Sequence, residues 1–366
     1  MLLTPGPTAV PEFVRVAMGA ETLHHRTPEF EAIFKETREL LIEVMGLPEA
    51  LMLASSGSGA MEACVTNLTA KKVLTINAGK FGQRFGKIAK AHNLEYTELS
   101  YEWNTPASVS EIINTIKNDT AIDAVCIQVC ESAGGLRHPV EEMAAQVKAI
   151  NPEITIIADG ITAVGVEKID VSNIDVLITG SQKALMLPPG LAMIGLSEAA
   201  VSKAQANQRG FYFNLTTEIK KQRENTTAWT AATTLIIGLR EILSNLKENG
   251  FDNLYAATAK RAKASREAME AIGLEVYPAS PANAMTTIYT EQSNEIRKIL
   301  KTKYDVNIAG GQDHLKGKIF RINHKGLVKD YEASWVLNAV EMALDELEIR
   351  KFDGTANKVF MESFCK

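Results

Sequence analysis

The segments ITIIADG at residues 154–160 and VLITGSQK at residues 176–183 decide the fold class of this chain. Each begins with a short continuous apolar run, which predicts a buried strand. The first run ends at Asp159, and the second leads into a loop that carries Lys183. Ligands bind beyond the carboxyl ends of the strands in open α/β sheets. We therefore expect Asp159 and Lys183 to converge over one cleft.

Upstream segments repeat the pattern of buried strands. Apolar runs at residues 73–77 and 124–129 predict two more strands, and amphipathic segments at 81–91, 109–116 and 140–150 predict helices that cross between them. Short strands that alternate with helices of this length indicate β-α-β units. The sequence thus predicts an α/β fold with a large, doubly wound and mostly parallel sheet.

The pattern changes past about residue 273. Strand-like segments at 285–289 and 319–322 alternate there with helical segments at 294–302 and 331–347, which predicts a smaller C-terminal α+β domain. Residues 235–266 combine helical apolar spacing with a charged helical stretch, and they predict a long connector between the two domains.

A chain of 366 residues is longer than one ordinary domain. We expect an N-terminal arm at residues 1–20, a large domain at 21–248 and a small C-terminal domain at 249–366. Prolines follow Met1 before an apolar leader can form, and no run approaches the roughly 20 apolar residues of a membrane span. These features predict a cytoplasmic protein without a membrane segment.

The charge and cysteine content argue against several classes of partner. The net charge is −5 and the basic residues are scattered, so nucleic acid is not an expected partner. The four cysteines are too few for a disulfide framework. Cys126 and Cys130 fall in or beside an apolar run and are expected to be free buried thiols, and no histidine or cysteine spacing predicts a metal site.

A third segment, SSGSGA at residues 55–60, precedes a predicted helix. Glycines let the backbone approach a phosphate, and the helix N-terminus favours its negative charge. Pyridoxal phosphate (PLP) chemistry needs such a site, a lysine that holds the aldehyde and a carboxylate opposite the pyridine nitrogen. Lys183 and Asp159 fit the last two roles, although either residue alone is an ordinary loop or turn residue.

Together these residues resemble the class V aminotransferases of PLP fold type I, specifically the alanine–glyoxylate and serine–glyoxylate aminotransferase group. The likeness extends from TPGP at residues 4–7 to RINH at 321–324, and its most specific part is GSQKAL at 180–185 followed by PPG at 188–190. It implies that Lys183 carries PLP as a Schiff base and shuttles the proton between the substrate Cα and the cofactor. It also implies a homodimer with the active site at the interface.

The resemblance assigns the remaining cofactor contacts residue by residue. It places Asp159 opposite the pyridine nitrogen, Gln182 near the 3-hydroxyl group and Ile161 beneath the ring. The other implied cofactor contacts are a phosphate-binding turn at Ser58 and Gly59, a stacking ring at Phe81, and phosphate contacts across the dimer interface from Thr227 and Thr230.

Two further segments carry implied substrate contacts. ESAGG at 131–135 resembles a loop that reaches cofactor and substrate, and only Ser132 retains the hydroxyl residue typical of that loop. In KIFRINH at 318–324, Arg321 matches the arginine that binds the substrate carboxylate, for which a planar guanidinium is suited. The segment HHRTPEF at 24–30 is expected to be structural.

The activity implied by the resemblance is a ping-pong transamination through pyridoxamine phosphate. A small amino acid of the alanine or serine type donates its amino group to a 2-oxo acid such as glyoxylate or pyruvate. One alternative is a PLP-dependent lyase or desulfurase on the same fold. A desulfurase needs a reactive cysteine on a mobile segment, and Cys365 lies in the C-terminal tail. Another is a non-catalytic hydrogenase-associated subunit, although Cys126 and Cys130 alone cannot hold an iron–sulfur cluster.

Overall fold

The computed structural model describes residues 1–366 and contains thirteen strands and thirteen α-helices. The strands are β1 (Glu49–Leu53), β2 (Lys72–Asn77), β3 (Glu95–Ser100), β4 (Ile122–Gln128), β5 (Cys130–Glu131), β6 (Leu136–Arg137), β7 (Thr155–Asp159), β8 (Val176–Gly180), β9 (Ala192–Leu196), β10 (Glu275–Val276), β11 (Met285–Tyr289), β12 (Ala309–Gly310) and β13 (Ile319–Asn323).

The helices surround these strands. They are α1 (Glu12–Met18), α2 (Pro28–Met45), α3 (Gly57–Leu68), α4 (Gly82–Ala91), α5 (Val109–Asn118), α6 (Val140–Ile150), α7 (Glu198–Asn207), α8 (Leu215–Arg223), α9 (Thr233–Asn249), α10 (Phe251–Ala271), α11 (Ser293–Lys303), α12 (Asp330–Glu346) and α13 (Thr355–Phe364). None of the helices combines the length and the apolar character that a membrane crossing requires.

The large sheet has seven strands in the order β1-β9-β8-β7-β4-β2-β3. Strands β8, β7, β4, β2 and β3 are parallel, whereas β9 runs antiparallel to both β8 and β1. A parallel connection needs a crossover, usually a helix. Residues 181–191 contain no helix, so the chain turns directly from β8 into an antiparallel neighbour. The fold class expected from the sequence, with a large mostly parallel sheet, is confirmed.

Apolar side chains cover both faces of this sheet. On one face, Phe30 and Phe34 of α2 belong to the same buried cluster as Leu239 of α9. On the other face, Met61 and Cys64 of α3 are fully buried in a second cluster. Burial of both faces explains why the central strands are continuous apolar runs rather than alternating ones.

The small sheet has the antiparallel order β10-β11-β13-β12 and a hydrophobic cluster of its own. Phe320 of β13 is buried in that cluster with Leu337 and Val340 of α12. Strand Met285–Tyr289 has the bounds expected from the sequence, and α11 and α12 each begin one residue earlier than expected. The exact domain boundaries at residues 20/21 and 248/249 remain predictions.

The segment expected to be a long connector consists of two helices, α9 and α10. Gly250, with a φ of +81°, separates α9 from α10. Helix α9 packs against α1 of the N-terminal arm and against α2 of the large domain. A positive φ is accessible to glycine at little cost, so the chain can leave the helical conformation there.

Candidate active site

A pocket of about 190 Å³ lies where β7 and β8 end and α3 begins. Most of the site residues predicted from the sequence line this pocket. The lining residues are Ser56, Gly57, Ser58, Phe81, Arg84, Cys130, Ser132, Asp159, Ile161, Thr162, Gln182 and Lys183. A larger cavity of about 500 Å³ lies around Phe211–Phe213, and none of the residues named above lines it.

Lys183 follows β8 on the loop that turns back into β9. Its Nζ atom donates a hydrogen bond to the carbonyl oxygen of Pro5, 2.9 Å away. Burial and the positive charge of Arg321 lower the pKa of Lys183 to about 8. A substantial fraction of the amine is therefore neutral near pH 8, and the neutral form is the one that acts as nucleophile or base.

Asp159 ends β7 and is only 5% exposed. Its Oδ1 atom accepts the backbone N–H of Ile161 at 2.9 Å. Burial raises the pKa of Asp159 to about 6, while the positive charges of Arg84 and Lys183 act in the opposite direction. A carboxylate in such a position is suited to a bound cationic N–H group, which would stabilise its ionised form.

The first turn of α3 has free N–H groups that suit an anion. The side chain of Ser56, the residue before the helix, makes no hydrogen bond to the free N–H groups of the first turn. Ser58 Oγ instead accepts a hydrogen bond from Arg84 Nη1 at 2.6 Å. A Cβ atom on Gly57 would lie 2.4 Å from Ile161 Cδ1, so a larger residue there would require the Ile161 side chain to move. Helix N–H groups, a hydroxyl and a guanidinium thus meet at one end of the pocket.

Gly59 does not line the pocket. A Cβ atom on Gly59 would lie 1.9 Å from Ser55 Oγ, so the glycine is required by packing within the turn. Its assignment to phosphate binding remains a prediction. Phe81, Ile161, Gln182 and Ser132 do line the pocket, as the resemblance implied for their positions.

Arg321 lies on β13 of the small domain and reaches toward the large one. Its Nη1 atom donates to the carbonyl oxygen of Ser132 and its Nη2 atom to that of Gly310, each at 2.6 Å. The side chain is 7% exposed, and its buried Nε atom has no hydrogen-bond partner. Burial lowers the pKa of Arg321 to about 10, and the negative charge of Glu131 acts in the opposite direction. Both hydrogen bonds of the guanidinium go to backbone carbonyl oxygens, so it retains donor capacity beside the pocket.

Thr227 and Thr230 lie elsewhere in this chain. Both line a small cleft between α8 and α9 that also contains Trp229, and the hydroxyl of Thr227 donates to the carbonyl oxygen of Trp229. Within one chain, neither threonine lines the pocket that contains Lys183. Their expected contact across a subunit interface remains a prediction.

The sequence reasoning assigned no site role to five lining residues: Ser56, Gly57, Arg84, Cys130 and Thr162. The guanidinium carbon of Arg84 lies 4.8 Å from the centre of the Phe81 ring, a cation–π contact. Arg84 lies three residues after Phe81 in the sequence, so the expected stacking ring was a signal for its position. Cys130 was expected to be a buried thiol, which it is, and burial raises its pKa to about 12.

Comparison with known proteins identifies the family. The family described as Aminotransferase class-V matches residues 9–328. An uncharacterized aminotransferase of Helicobacter pylori is 49% identical over 367 residues, which cover 100% of this chain and 99% of that relative. A serine–glyoxylate aminotransferase of Methylorubrum extorquens is 29% identical over 376 residues, or 97% of this chain and 93% of the relative.

Among solved structures, an aspartate aminotransferase of subgroup IV from Thermus thermophilus matches with a TM-score of 0.88 and 30% identity. The match covers 94% of this chain and 99% of that one. The architecture is therefore PLP fold type I, as the sequence led us to expect. Family model, relatives and architecture agree, and this chain is an enzyme that belongs to the class-V aminotransferase family.

Proposed function

We propose that this enzyme uses PLP to transfer the amino group of a small amino acid, of the alanine or serine type, to a 2-oxo acid such as glyoxylate or pyruvate. The observation that carries the proposal is the meeting of Lys183 and Asp159 in one pocket with the N-terminus of α3. PLP binding requires an amine, a carboxylic acid and an anion site in one small cavity, and this pocket contains groups of each kind.

Bound PLP supplies an electron sink for the carbanion that forms when the substrate loses its α-proton. Asp159 would keep the ring nitrogen protonated, since a buried carboxylate favours a cationic partner. Ser58 and the free N–H groups of α3 would hold the phosphate. Phe81 and Ile161 are the apolar side chains available to contact the ring.

Lys183 would hold the cofactor and later move the substrate proton. After its release the amine lies near the positive charge of Arg321, which favours its neutral, basic form. Arg321 would orient the substrate carboxylate through its unpartnered Nε atom and its remaining Nη protons. Lys183 would then act at the substrate Cα, and Arg321 at the substrate carboxylate.

The substrate class is inferred from the relatives rather than from the pocket. The Methylorubrum extorquens relative is named for serine and glyoxylate, and it matches nearly the full length of this chain. We also propose a homodimer, in which Thr227 and Thr230 would reach the partner's pocket.

A donor screen tests the proposal. Purified protein loaded with PLP is incubated with alanine, serine or aspartate, each against glyoxylate and pyruvate, and the new amino acid and oxo acid are quantified. The proposal predicts equimolar products with alanine or serine as the best donor. Release of ammonia without amination of the acceptor, or of sulfide when cysteine is supplied as the donor, would instead support the lyase or desulfurase alternative.

A further inference from the structure

Glu131 is a fully buried carboxylate without a cationic hydrogen-bond partner, and it lies between Cys130 and Ser132, which line the proposed PLP site. It is 0% exposed, and all three of its short side-chain contacts are backbone N–H groups. Burial raises its pKa to about 7. Removing a charge from water is costly, so a carboxylate retained here needs a reason beyond filling space.

The three contacts join two separate parts of the pocket. Glu131 Oε2 accepts the N–H groups of Phe81 at 3.0 Å and Gly82 at 2.8 Å, at the start of α4. Oε1 accepts the N–H group of Ala133 at 2.9 Å, in the loop that follows Ser132. One side chain therefore fixes the backbone of the ring-contacting residue and that of the substrate-facing loop.

Close packing leaves this carboxylate little freedom to move. A Cβ atom on Gly79 would lie 2.3 Å from Glu131 Cδ, so the segment before Phe81 approaches the carboxylate as closely as a glycine allows. The side chain of Phe81 makes no capping hydrogen bond at the start of α4, and Glu131 satisfies those N–H groups instead.

Arg321 extends the connection to the small domain. Its Nη1 atom donates to the carbonyl oxygen of Ser132, the residue between Glu131 and Ala133. The hydrogen bonds thus run without interruption from the guanidinium proposed to bind the substrate carboxylate, through the Ser132–Ala133 peptide and Glu131, to Phe81.

We propose that Glu131 is a positioning residue that holds Phe81 and the Ser132 loop in a fixed relation, so that the ring and the substrate carboxylate are aligned by one shared anchor. This inference rests on the proposed function. It assigns to Glu131 no contact with substrate or cofactor, and it predicts that losing the anchor alters cofactor orientation and substrate binding together.

Glu341 provides a control for the loss of a buried carboxylate. It is also 0% exposed and accepts backbone N–H groups from Asp353, Thr355 and Ala356, but unlike Glu131 it also pairs with Arg350, so Glu341→Gln should lose at least as much stability. If the role of Glu131 were purely structural, Glu131→Gln would lower the melting temperature as Glu341→Gln does and would change neither the cofactor dichroism nor the KM. An amide can accept hydrogen bonds only through its oxygen, so each glutamine variant loses acceptor capacity.

The experiment compares both variants with the unmodified enzyme, with and without PLP. For Glu131→Gln we expect amide hydrogen exchange at least tenfold faster in peptides that contain Phe81 and Gly82 or Ala133, a loss of half or more of the circular dichroism of bound PLP, and a KM for the amino donor raised at least fivefold. Glu341→Gln should show none of these changes, even if its melting temperature falls as far. Glu131→Asp should resemble Glu131→Gln, because the shorter side chain cannot span both sites.

If Glu131→Gln keeps the wild-type exchange, dichroism and KM, or differs from wild type only as Glu341→Gln does, the positioning role is wrong. Hydrogen exchange of the cofactor-free protein reports on the anchor independently of catalysis. An enzyme that binds no PLP would therefore refute the proposed function, whereas unchanged exchange would refute the anchor itself.

Discussion

Lys183 Nζ donates a hydrogen bond to the carbonyl oxygen of Pro5, across 178 residues of sequence. The N-terminal arm lies against the active-site loop, since Thr8 Oγ1 also donates to the carbonyl oxygen of Lys183 at 2.7 Å. Tertiary contacts of this kind place the arm next to the proposed catalytic amine. The arm is therefore part of the site, and a change within it should affect Lys183.

Gly6→Ala tests that contact. A Cβ atom on Gly6 would lie 2.7 Å from Lys183 Nζ, and the φ of +142° at this residue is itself unfavourable for alanine. We expect the variant to take up PLP at least tenfold more slowly, as measured by the growth of cofactor absorbance. Gly273→Ala is the control, because Gly273 also has a positive φ of +84° but no atom within 4 Å of the added Cβ. Equal uptake by both variants would contradict the contact.

The pH dependence of cofactor uptake should follow the charge of Lys183. Only the neutral amine attacks an aldehyde, so uptake by the cofactor-free protein should rise with pH and level off above the lowered pKa of about 8. Arg321 is one cause of that lowering, so Arg321→Gln should move the midpoint to higher pH. Arg321→Lys retains the positive charge and should leave it closer to the wild-type value. Stopped-flow absorbance across the pH range measures the midpoints, and one that stays fixed in Arg321→Gln would count against this electrostatic coupling.

Phe81 is expected to contribute to PLP affinity through its ring. Aromatic stacking adds about 0.5–1.5 kcal/mol beyond burial, so Phe81→Leu should weaken PLP binding by about 2- to 12-fold. Fluorescence titration of the cofactor-free protein measures the change. Phe85, which is fully buried in the hydrophobic core, serves as the comparison. Phe85→Leu should lower the melting temperature of the protein and leave its affinity for PLP near the wild-type value. A loss of PLP affinity in Phe85→Leu as large as that in Phe81→Leu would contradict the assignment.

Much of the chemistry could be predicted because it lies at the ends of continuous apolar strands. Asp159 and Lys183 follow β7 and β8, whose burial on both faces gives an unambiguous pattern. Strand β1, with the sequence EALML, was not predicted because its glutamate, alanine, leucine and methionine favour helices. Pairing with β9 overrides that local preference. Strand β3 was missed because it is a largely exposed edge with charged residues.

Contacts between distant segments could not be read from local pattern. The position of Pro5 beside Lys183 depends on how the arm crosses the folded domain, and no periodicity encodes that path. The same holds for Arg321, which reaches Ser132 from the other domain. The resemblance pointed to these residues, whereas only the structure shows which atoms they contact.

Thr230 tests the proposed dimer. If it contacts the phosphate in the partner's pocket, Thr230→Ala should weaken PLP binding by about 10- to 150-fold, since a hydrogen bond to a charged group contributes about 1.5–3 kcal/mol. Light scattering combined with PLP titration measures both assembly and affinity. Thr217→Ala, at an exposed site on α8, is the control. A monomer with full activity would contradict an active site shared between subunits.

The central claim is that Lys183 is the lysine that binds the cofactor. Reduction of the PLP-loaded enzyme with borohydride, followed by peptide mapping, measures this directly. The predicted result is a pyridoxyl group on the peptide that contains Lys183 and none on the Lys183→Ala variant. Lys325 is the informative alternative, because burial lowers the pKa of its amine as well. A pyridoxyl group on Lys325, on any other lysine or on none would contradict the account.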